Sequence, residues 1–285
     1  MTDSSPHTAP WTPAGPALLF CPADRPERYA KAAERADVVI LDLEDAVAPE
    51  NKAAARTALI DTPLDPDRVI VRVNPAGTDE HAADLAALAQ TSYRVIMLAK
   101  AEDPAAVAAL DYAVIGLIET PLGAVRCEEI AAVGNCAGLM WGAEDLVAGL
   151  GGKSSRFGTE EPGAGGYRSV PSHVRARVRL AAGAFGKAAI DAVHLDIADV
   201  VGLDFEVRDA VALGYAATAC IHPAQVPVVR DGYAPSPQEV TWARQVLAES
   251  ERHGGGVFTF EGQMVDAPVF GQALAVLRRA GENPF

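Results

Sequence analysis

Val38-Val39-Ile40-Leu41-Asp42-Leu43-Glu44-Asp45 is the stretch whose reading decides the fold. A short apolar run with no polar alternation belongs to a parallel strand covered by helices on both faces. Here that run ends abruptly in acids. The pattern recurs along the chain. Val69-Ile70-Val71 runs into Arg72-Val73-Asn74, Ala113-Val114-Ile115-Gly116-Leu117-Ile118 into Glu119, and Gly138-Leu139-Met140-Trp141-Gly142 into Ala143-Glu144-Asp145. Charge is costly at the mouth of a buried strand unless it is paired or binds something. When several mouths point the same way, the simplest reading is a metal and anion site built from strand ends.

Runs of this kind are expected as strands at 17–20, 38–41, 69–73, 95–98, 113–118, 138–141, 192–195 and 216–221. Amphipathic, Ala-rich stretches at 25–36, 78–90, 104–110 and 172–187 read as helices between them. Asp103-Pro104 has the form of an N-cap followed by proline at the first helical position. Regular βα repetition predicts a (β/α)8 TIM barrel, an α/β fold whose functional groups sit at the C-terminal strand ends. An open doubly wound sheet is the rival, but eight evenly spaced strands favour closure. The expected organisation is a flexible N-terminal tail over 1–16, a barrel over 17–233 and a C-terminal helical extension over 234–285.

Composition excludes several classes of function. The chain has 285 residues and is 49% hydrophobic, enough to bury a full core. No apolar run approaches the roughly 20 residues that span a bilayer, and the Pro-, Ser- and Thr-rich start lacks the order of a secretory signal. Membrane and nucleic-acid partners are not expected, the latter because 24 basic residues face 38 acidic ones for a net charge of −14. The four cysteines, Cys21, Cys127, Cys136 and Cys220, show no C-x-x-C spacing, so a reducing cytoplasmic setting is the default.

Two segments depart from plain repetition. The Gly-rich insert 149–169 follows the Glu144-Asp145 strand end directly; it is either an inert surface loop or, on its position, a mobile flap over the site. Ser236-Pro237-Gln238-Glu239 is a capping box opening a helix to about His253. The segment beyond, through Phe258, Phe260, Met264 and Val265, is too apolar to be free in water and must pack on its own barrel or a neighbour's.

Glu119 and Asp145 close neighbouring expected strands, so their carboxylates could converge on a hard cation such as Mg²⁺, with water and substrate completing the shell. The competing reading, helix capping, falls more naturally to Thr120 than to Glu119. Arg72 could hold a carboxylate or an enolate oxygen with its permanently charged fork; it could also pair with Asp42, Glu44 or Asp45, and the two readings are compatible because such a pair would aim the guanidinium. In extended chain Asp42 and Glu44 share a face and Asp45 points away, which makes Asp45 the expected cap of a helix or loop. Arg25, Arg28, Lys31 and Arg35 form a basic stripe that is either a solvated face or a phosphate contact. Lys100 is expected to be held charged by Glu102 and Asp103. His194 and His222, at the expected ends of the seventh and eighth strands, read as packing residues, and Cys21 and Cys220 as small buried hydrophobes.

The joint occurrence, in order, of Leu18-Leu19-Phe20-Cys21-Pro22-Ala23-Asp24-Arg25-Pro26-Glu27-Arg28, Leu41-Asp42-Leu43-Glu44-Asp45-Ala46-Val47, Val71-Arg72-Val73-Asn74, Ile118-Glu119-Thr120-Pro121-Leu122-Gly123-Ala124, Gly142-Ala143-Glu144-Asp145-Leu146 and Gly262-Gln263-Met264-Val265-Asp266-Ala267-Pro268 resembles the citrate lyase β-subunit-like family. The resemblance runs from about Ala17 to Arg279. It implies a TIM barrel that uses Mg²⁺ or Mn²⁺ to cleave or form the C–C bond of citryl-, malyl-, citramalyl- or related 3-hydroxyacyl-CoA thioesters. By that resemblance Glu119 and Asp145 would hold the metal, and Arg72 would contact the keto acid or enolate oxygen with Asp42 and Glu44 supporting it. Ala143 and Glu144 would line the substrate site, and Arg25 and Lys31 would hold the CoA phosphates. Asp266 would serve a neighbouring subunit's site as acid/base, which implies a homotrimer or a multiple of one. A CoA thioesterase, a class II pyruvate aldolase, and a non-catalytic subunit or regulatory binder are the rival readings.

Overall fold

A computed structural model describes residues 11–254 and 256–282. Its first compact unit runs to Val229 and its second from Arg230. In the first unit the elements are β1 (Ala17–Pro22), α1 (Tyr29–Arg35), β2 (Val38–Asp42), α2 (Lys52–Asp61), β3 (Val69–Val73), α3 (Asp79–Leu88), β4 (Val95–Leu98), α4 (Pro104–Ala108), β5 (Ala113–Ile118), α5 (Pro121–Val125), α6 (Cys127–Ala131), β6 (Cys136–Trp141), α7 (Ala143–Gly149), α8 (Ser169–Ala184), β7 (Ala188–Asp191), α9 (Val200–Leu213) and β8 (Ala217–Cys220). The strands form a closed barrel in sequence order, all neighbours parallel, and the ring is completed by β1 against β8 with Leu19 opposite Cys220.

Alternation within each strand explains how this barrel makes a site. Successive side chains point to opposite faces, and the inward set packs a core of Leu18, Ile40, Ile70, Met97, Ile115 and Met140, joined by Ile190 and Ala219. Two residues further along seven of the eight strands, β4 excepted, the same face emerges to line the C-terminal mouth. Thus Leu18 is followed by Phe20, Ile40 by Asp42, Ile70 by Arg72, Leu117 by Glu119, Met140 by Gly142, Ile190 by Ala192 and Ala219 by Ile221. All seven of these mouth residues line one cavity.

Four local expectations are corrected. The seventh strand is β7 at Ala188–Asp191, not 192–195. The helix before it stops at Ala184, because Gly186 turns the chain at φ 63°, and the strand begins at once. Asp191 therefore ends the strand, and His194 lies in the loop beyond it. The cap of the loop after β2 is Asp42, which accepts from the Glu44 and Ala46 N–H groups at 2.9 and 3.1 Å, and Asp45 is left half-exposed. Of the expected tail, residues 1–10 lie outside the described residues; Trp11 packs against the barrel core and the Pro16 carbonyl accepts from Thr218, so the remainder is built into the fold.

The second unit begins within α10 (Gln225–Tyr233) and carries its last turn, then α11 (Pro237–Arg252), a hairpin of β9 (Phe258–Phe260) and β10 (Gln263–Val265), and α12 (Ala267–Arg279). The capping box at Ser236 and Glu239 is present in full. Glu261 and Gly262, both at positive φ, make the hairpin turn. Phe258 and Val265 bury with Ala243, Val246, Ala273, Val276 and Leu277, so the apolar tail has a core of its own.

Candidate active site at the barrel mouth

The mouth residues enclose a cavity of about 230 Å³. At its centre the Arg72 guanidinium lies against two acids from β2 and the loop after it. Nε and Nη2 donate to the Asp42 carboxylate at 2.7 and 2.6 Å, and Nη1 lies 3.1 Å from Glu44 Oε2. Phe20 stacks beneath the guanidinium carbon at 5.0 Å. Burial opposes the charge of Arg72, but the Asp42 contacts outweigh it and hold the group firmly protonated. A guanidinium carries five N–H donors, so N–H groups on both terminal nitrogens remain for a ligand. The ion pair and the ligand-binding reading of Arg72 are thus compatible.

Beside this clamp stands Glu119, first residue past β5 and buried at 3% exposure. Burial pushes its carboxyl up to about 8, and Asp145 adds to the rise while Arg72 opposes it. Such a group gains from a cation at close range. Its orientation comes from two places. Lys100, held at φ 49°, turns its backbone N–H onto Glu119 Oε1 at 3.0 Å. Gly142 leaves the other side open: a Cβ there would come within 3.0 Å of Glu119 Oε2. Thr120, not Glu119, caps α5 by accepting from the Gly123 N–H, so the Glu119 carboxylate is not spent on that task.

Asp145 lies in the first turn of α7, 44% exposed, with its Oδ1 3.9 Å from the Lys100 ammonium. The same ammonium contacts Glu44 and lies 3.4 Å from Asp45. Burial lowers the proton affinity of Lys100, but the Glu44 contact raises it further, and the amine stays charged. Its partners are therefore acids from other strand ends, not the adjacent Glu102 and Asp103. A fixed ammonium of this kind is no Schiff-base nucleophile. Among the described residues no three His, Cys, Asp or Glu side chains gather as a metal cluster. A cation here would rest on two carboxylates and draw its other ligands from water and substrate, the arrangement that suits Mg²⁺. The hard-oxygen donors and the open flank at Gly142 fit such an ion.

Sequence reading missed the groups that brace this wall. Asp191 accepts from Trp141 Nε1 at 2.7 Å and pairs with Arg175 at 2.7 Å. Trp141 meets the Tyr167 ring edge-on at 5.0 Å, and Arg156 lies 3.8 Å over that ring while pairing with Glu206. Glu206 also holds His194 Nδ1 at 2.9 Å. The Gly-rich insert is thus pinned at its base by an Arg156–Tyr167 bridge, and its Ser155 donates to Glu144 at 2.5 Å. Ala143, buried at the start of α7, lines the cavity with Glu144. Arg25 and Lys31 stand exposed on the segment after β1, outside the cavity lining, with Arg25 3.8 Å from Asp24. Asp266 belongs to the second unit, where it occupies the N-cap position of α12 without using its side chain to cap.

A closed parallel barrel whose C-terminal mouth gathers carboxylates, a clamped arginine and an apolar wall has the layout of the barrel enzymes, which build their sites at that end of the strands. The model of the HpcH/HpaI aldolase/citrate lyase family matches residues 17–115 and 108–223, and the chain belongs to that family. A CitE structure from Mycobacterium tuberculosis in complex with magnesium, acetoacetate and coenzyme A shares 59% identity over 94% of this chain and 99% of that one, with a TM-score of 0.87. A citrate lyase β subunit from the same organism, complexed with oxaloacetate and magnesium, is 60% identical over 78% of this chain and 98% of its own, at a TM-score of 0.75. The mitochondrial citramalyl-CoA lyase of Homo sapiens is 30% identical over 90% of this chain and 83% of its own length.

Proposed function

We propose that the chain is a Mg²⁺-dependent carbon–carbon lyase that splits a 3-hydroxyacyl-CoA into acetyl-CoA, or a homologue, and a keto acid. The observation that carries this reading is the pairing of Glu119 and Asp145 around open Gly142, directly beside a guanidinium that Asp42 and Glu44 hold in place. A bound Mg²⁺ would be held by Glu119 and Asp145 and would act as a Lewis acid toward the hydroxyl and carboxylate oxygens.

The remaining work falls to side chains. Arg72 offers its free N–H groups to the substrate carboxylate or to the thioester enolate oxygen, whose charge a preorganised donor stabilises. Asp42 and Glu44 keep that fork from swinging. Asp266 of another copy takes up the C3 hydroxyl proton, the C2–C3 bond breaks with its electron pair passing into the thioester enolate, and C3 becomes the keto carbon. Asp266 of another copy then delivers a proton to the enolate carbon, or removes it in the condensation direction. Its unused capping position leaves that carboxylate available. Arg25 and Lys31 would meet the CoA phosphates, being exposed cations in an acidic chain.

A homotrimer is part of this reading. Support comes from α9, whose Val201 and Phe205 are 81% and 74% exposed, more apolar surface than a free helix face usually shows. Four free, buried cysteines suit a reducing compartment, and no helix of the described residues is long and apolar enough to cross a membrane. The test is a substrate panel of malyl-, citramalyl-, citryl- and 3-hydroxy-3-methylglutaryl-CoA with Mg²⁺ or chelator, followed by mass spectrometry. Metal-dependent keto acid plus acetyl-CoA supports the lyase. Free CoA with an intact hydroxy acid would make the protein a thioesterase instead.

A further inference from the structure

We infer that Lys52 is a positioning residue for the reaction at the barrel mouth: through two consecutive peptide groups of the loop after β2 it aims the carboxylates that hold Arg72. The lyase reading enters only in what Arg72 does with its free N–H groups; the geometry that holds Arg72 stands without it. Lys52 opens α2 and reaches back to the loop. Its Nζ donates to the Leu43 and Glu44 carbonyls at 2.8 and 3.0 Å and to Asn74 Oδ1 at 2.9 Å. An ammonium has three donors, so all of them go to neutral oxygens, in a chain with 38 acidic residues. Asn74, the residue after β3, fixes the arrangement. Its Nδ2 donates to the same Leu43 carbonyl at 2.9 Å and to Asp84 at 2.7 Å, and Arg56 closes the far side of Asp84 at 2.7 Å.

A planar trans peptide points its C=O and N–H in opposite directions, so pinning one aims the other. The peptide whose oxygen belongs to Leu43 carries the Glu44 N–H, which donates to Asp42 Oδ1 at 2.9 Å. The next, whose oxygen belongs to Glu44, carries the Asp45 N–H, which donates to Glu44 Oε2 at 3.1 Å. Those two carboxylate oxygens are ones that face Arg72: Asp42 Oδ1 lies 2.7 Å from Nε and Glu44 Oε2 3.1 Å from Nη1. Each line runs from the Lys52 ammonium to the Arg72 guanidinium through one peptide and one carboxylate, and hydrogen bonds in such a series polarise one another. The ammonium acts at a remove, since Lys52 is not part of the cavity lining.

NMR on the full chain labelled only in its arginines reads Arg72 directly, with Arg72→Lys identifying its Nε–H signal. Lys52→Met, close in length and without donors, should speed exchange of that hydrogen with water at least about tenfold while Arg175, held by Asp191, keeps its rate. An unchanged Arg72 rate, or a rise shared with Arg175, overturns the inference; Lys52→Gln takes its place if Lys52→Met does not fold. Kinetics supply the second arm, with whichever thioester of the panel the wild type cleaves. Lys52→Met should lower kcat/KM at least about tenfold, but no more than about twofold in an Arg72→Lys background, because residues that act through one group are not additive. Equal losses in both backgrounds mean that Lys52 does not act through Arg72. If no thioester is cleaved the lyase reading fails, and the exchange rates alone then decide the role of Lys52.

Discussion

Gly142 shows how a residue with no functional group can set a site. Its backbone is extended, so alanine meets no conformational penalty there, but the added Cβ would press on Glu119 Cβ at 2.9 Å and on Oε2 at 3.0 Å. Gly142→Ala should therefore keep its fold while Mg²⁺ affinity falls at least about tenfold by calorimetry, the scale of loss when a group orienting a metal ligand is disturbed. Unchanged affinity would mean that Glu119 is not a ligand. Lys100 acts from the other side, through a left-handed backbone that costs about 1–2 kcal/mol in a non-glycine residue. Asp42, Arg72, Glu119 and Asp145 were legible in the sequence because a charge ending an apolar run is conspicuous. Ile221, Ala192 and Phe20 were not, because an apolar residue at a strand end looks like more strand. Only the two-residue alternation, carried one step past each core residue, identifies them. The partners of Lys100 were misread for a different reason: its nearest acids in sequence, Glu102 and Asp103, are not its nearest in space.

At the level of elements, short helices with explicit caps hold the loops that carry the acids. Thr120 accepts from the Gly123 N–H at 3.0 Å at the start of α5, one residue past Glu119. Thr120→Ala should lower stability by about 1 kcal/mol in denaturant melts, with a larger effect on activity than on fold if the turn also positions Glu119. Thr120→Ser should restore both. The insert after α7 is an element of its own, closed at its base by Arg156, Tyr167 and Glu206. Tyr167→Ala removes the ring between Arg156 and Trp141. Limited proteolysis should then cut within 149–169 much faster than in the wild type, since local opening governs such cleavage; an unaltered rate would mean the bridge does not hold the insert. Here the sequence was partly legible. Glycines marked an irregular loop of the right extent, but nothing in one chain revealed that Arg156 meets Glu206, fifty positions away on α9. The misplaced seventh strand has the same origin: AAID and AVHL read alike, and Gly186 was the one local sign that the helix had already ended.

The whole molecule sets the environment of every thiol and, on our proposal, completes the site. All four cysteines are buried, and burial pushes Cys21 and Cys136 up to about 11 and Cys127 to about 12. A raised thiol pKa means the folded state keeps its protons, so at pH 8 only about one thiolate in a thousand is present at Cys21. Iodoacetamide should label the native protein slowly and the unfolded protein at once; rapid native labelling would contradict the buried barrel staves. The closed barrel was legible from the count and spacing of apolar runs, whereas the small second core, with its hairpin, was not, because β9 and β10 are too short to stand out. If Asp266 serves another copy, mixing Glu119→Gln with Asp266→Asn, each inactive alone, should restore part of the activity in hybrid assemblies; a site completed within one chain would give none. The most direct measurement is the release of 2-oxo acid from citramalyl-CoA as Mg²⁺ is titrated into the metal-stripped wild type, Glu119→Gln and Asp145→Asn. The account predicts turnover that rises with Mg²⁺ in the wild type, vanishes with chelator, and falls by about two orders of magnitude or more in both variants. Turnover that is indifferent to the metal, or that survives in both variants, would contradict it.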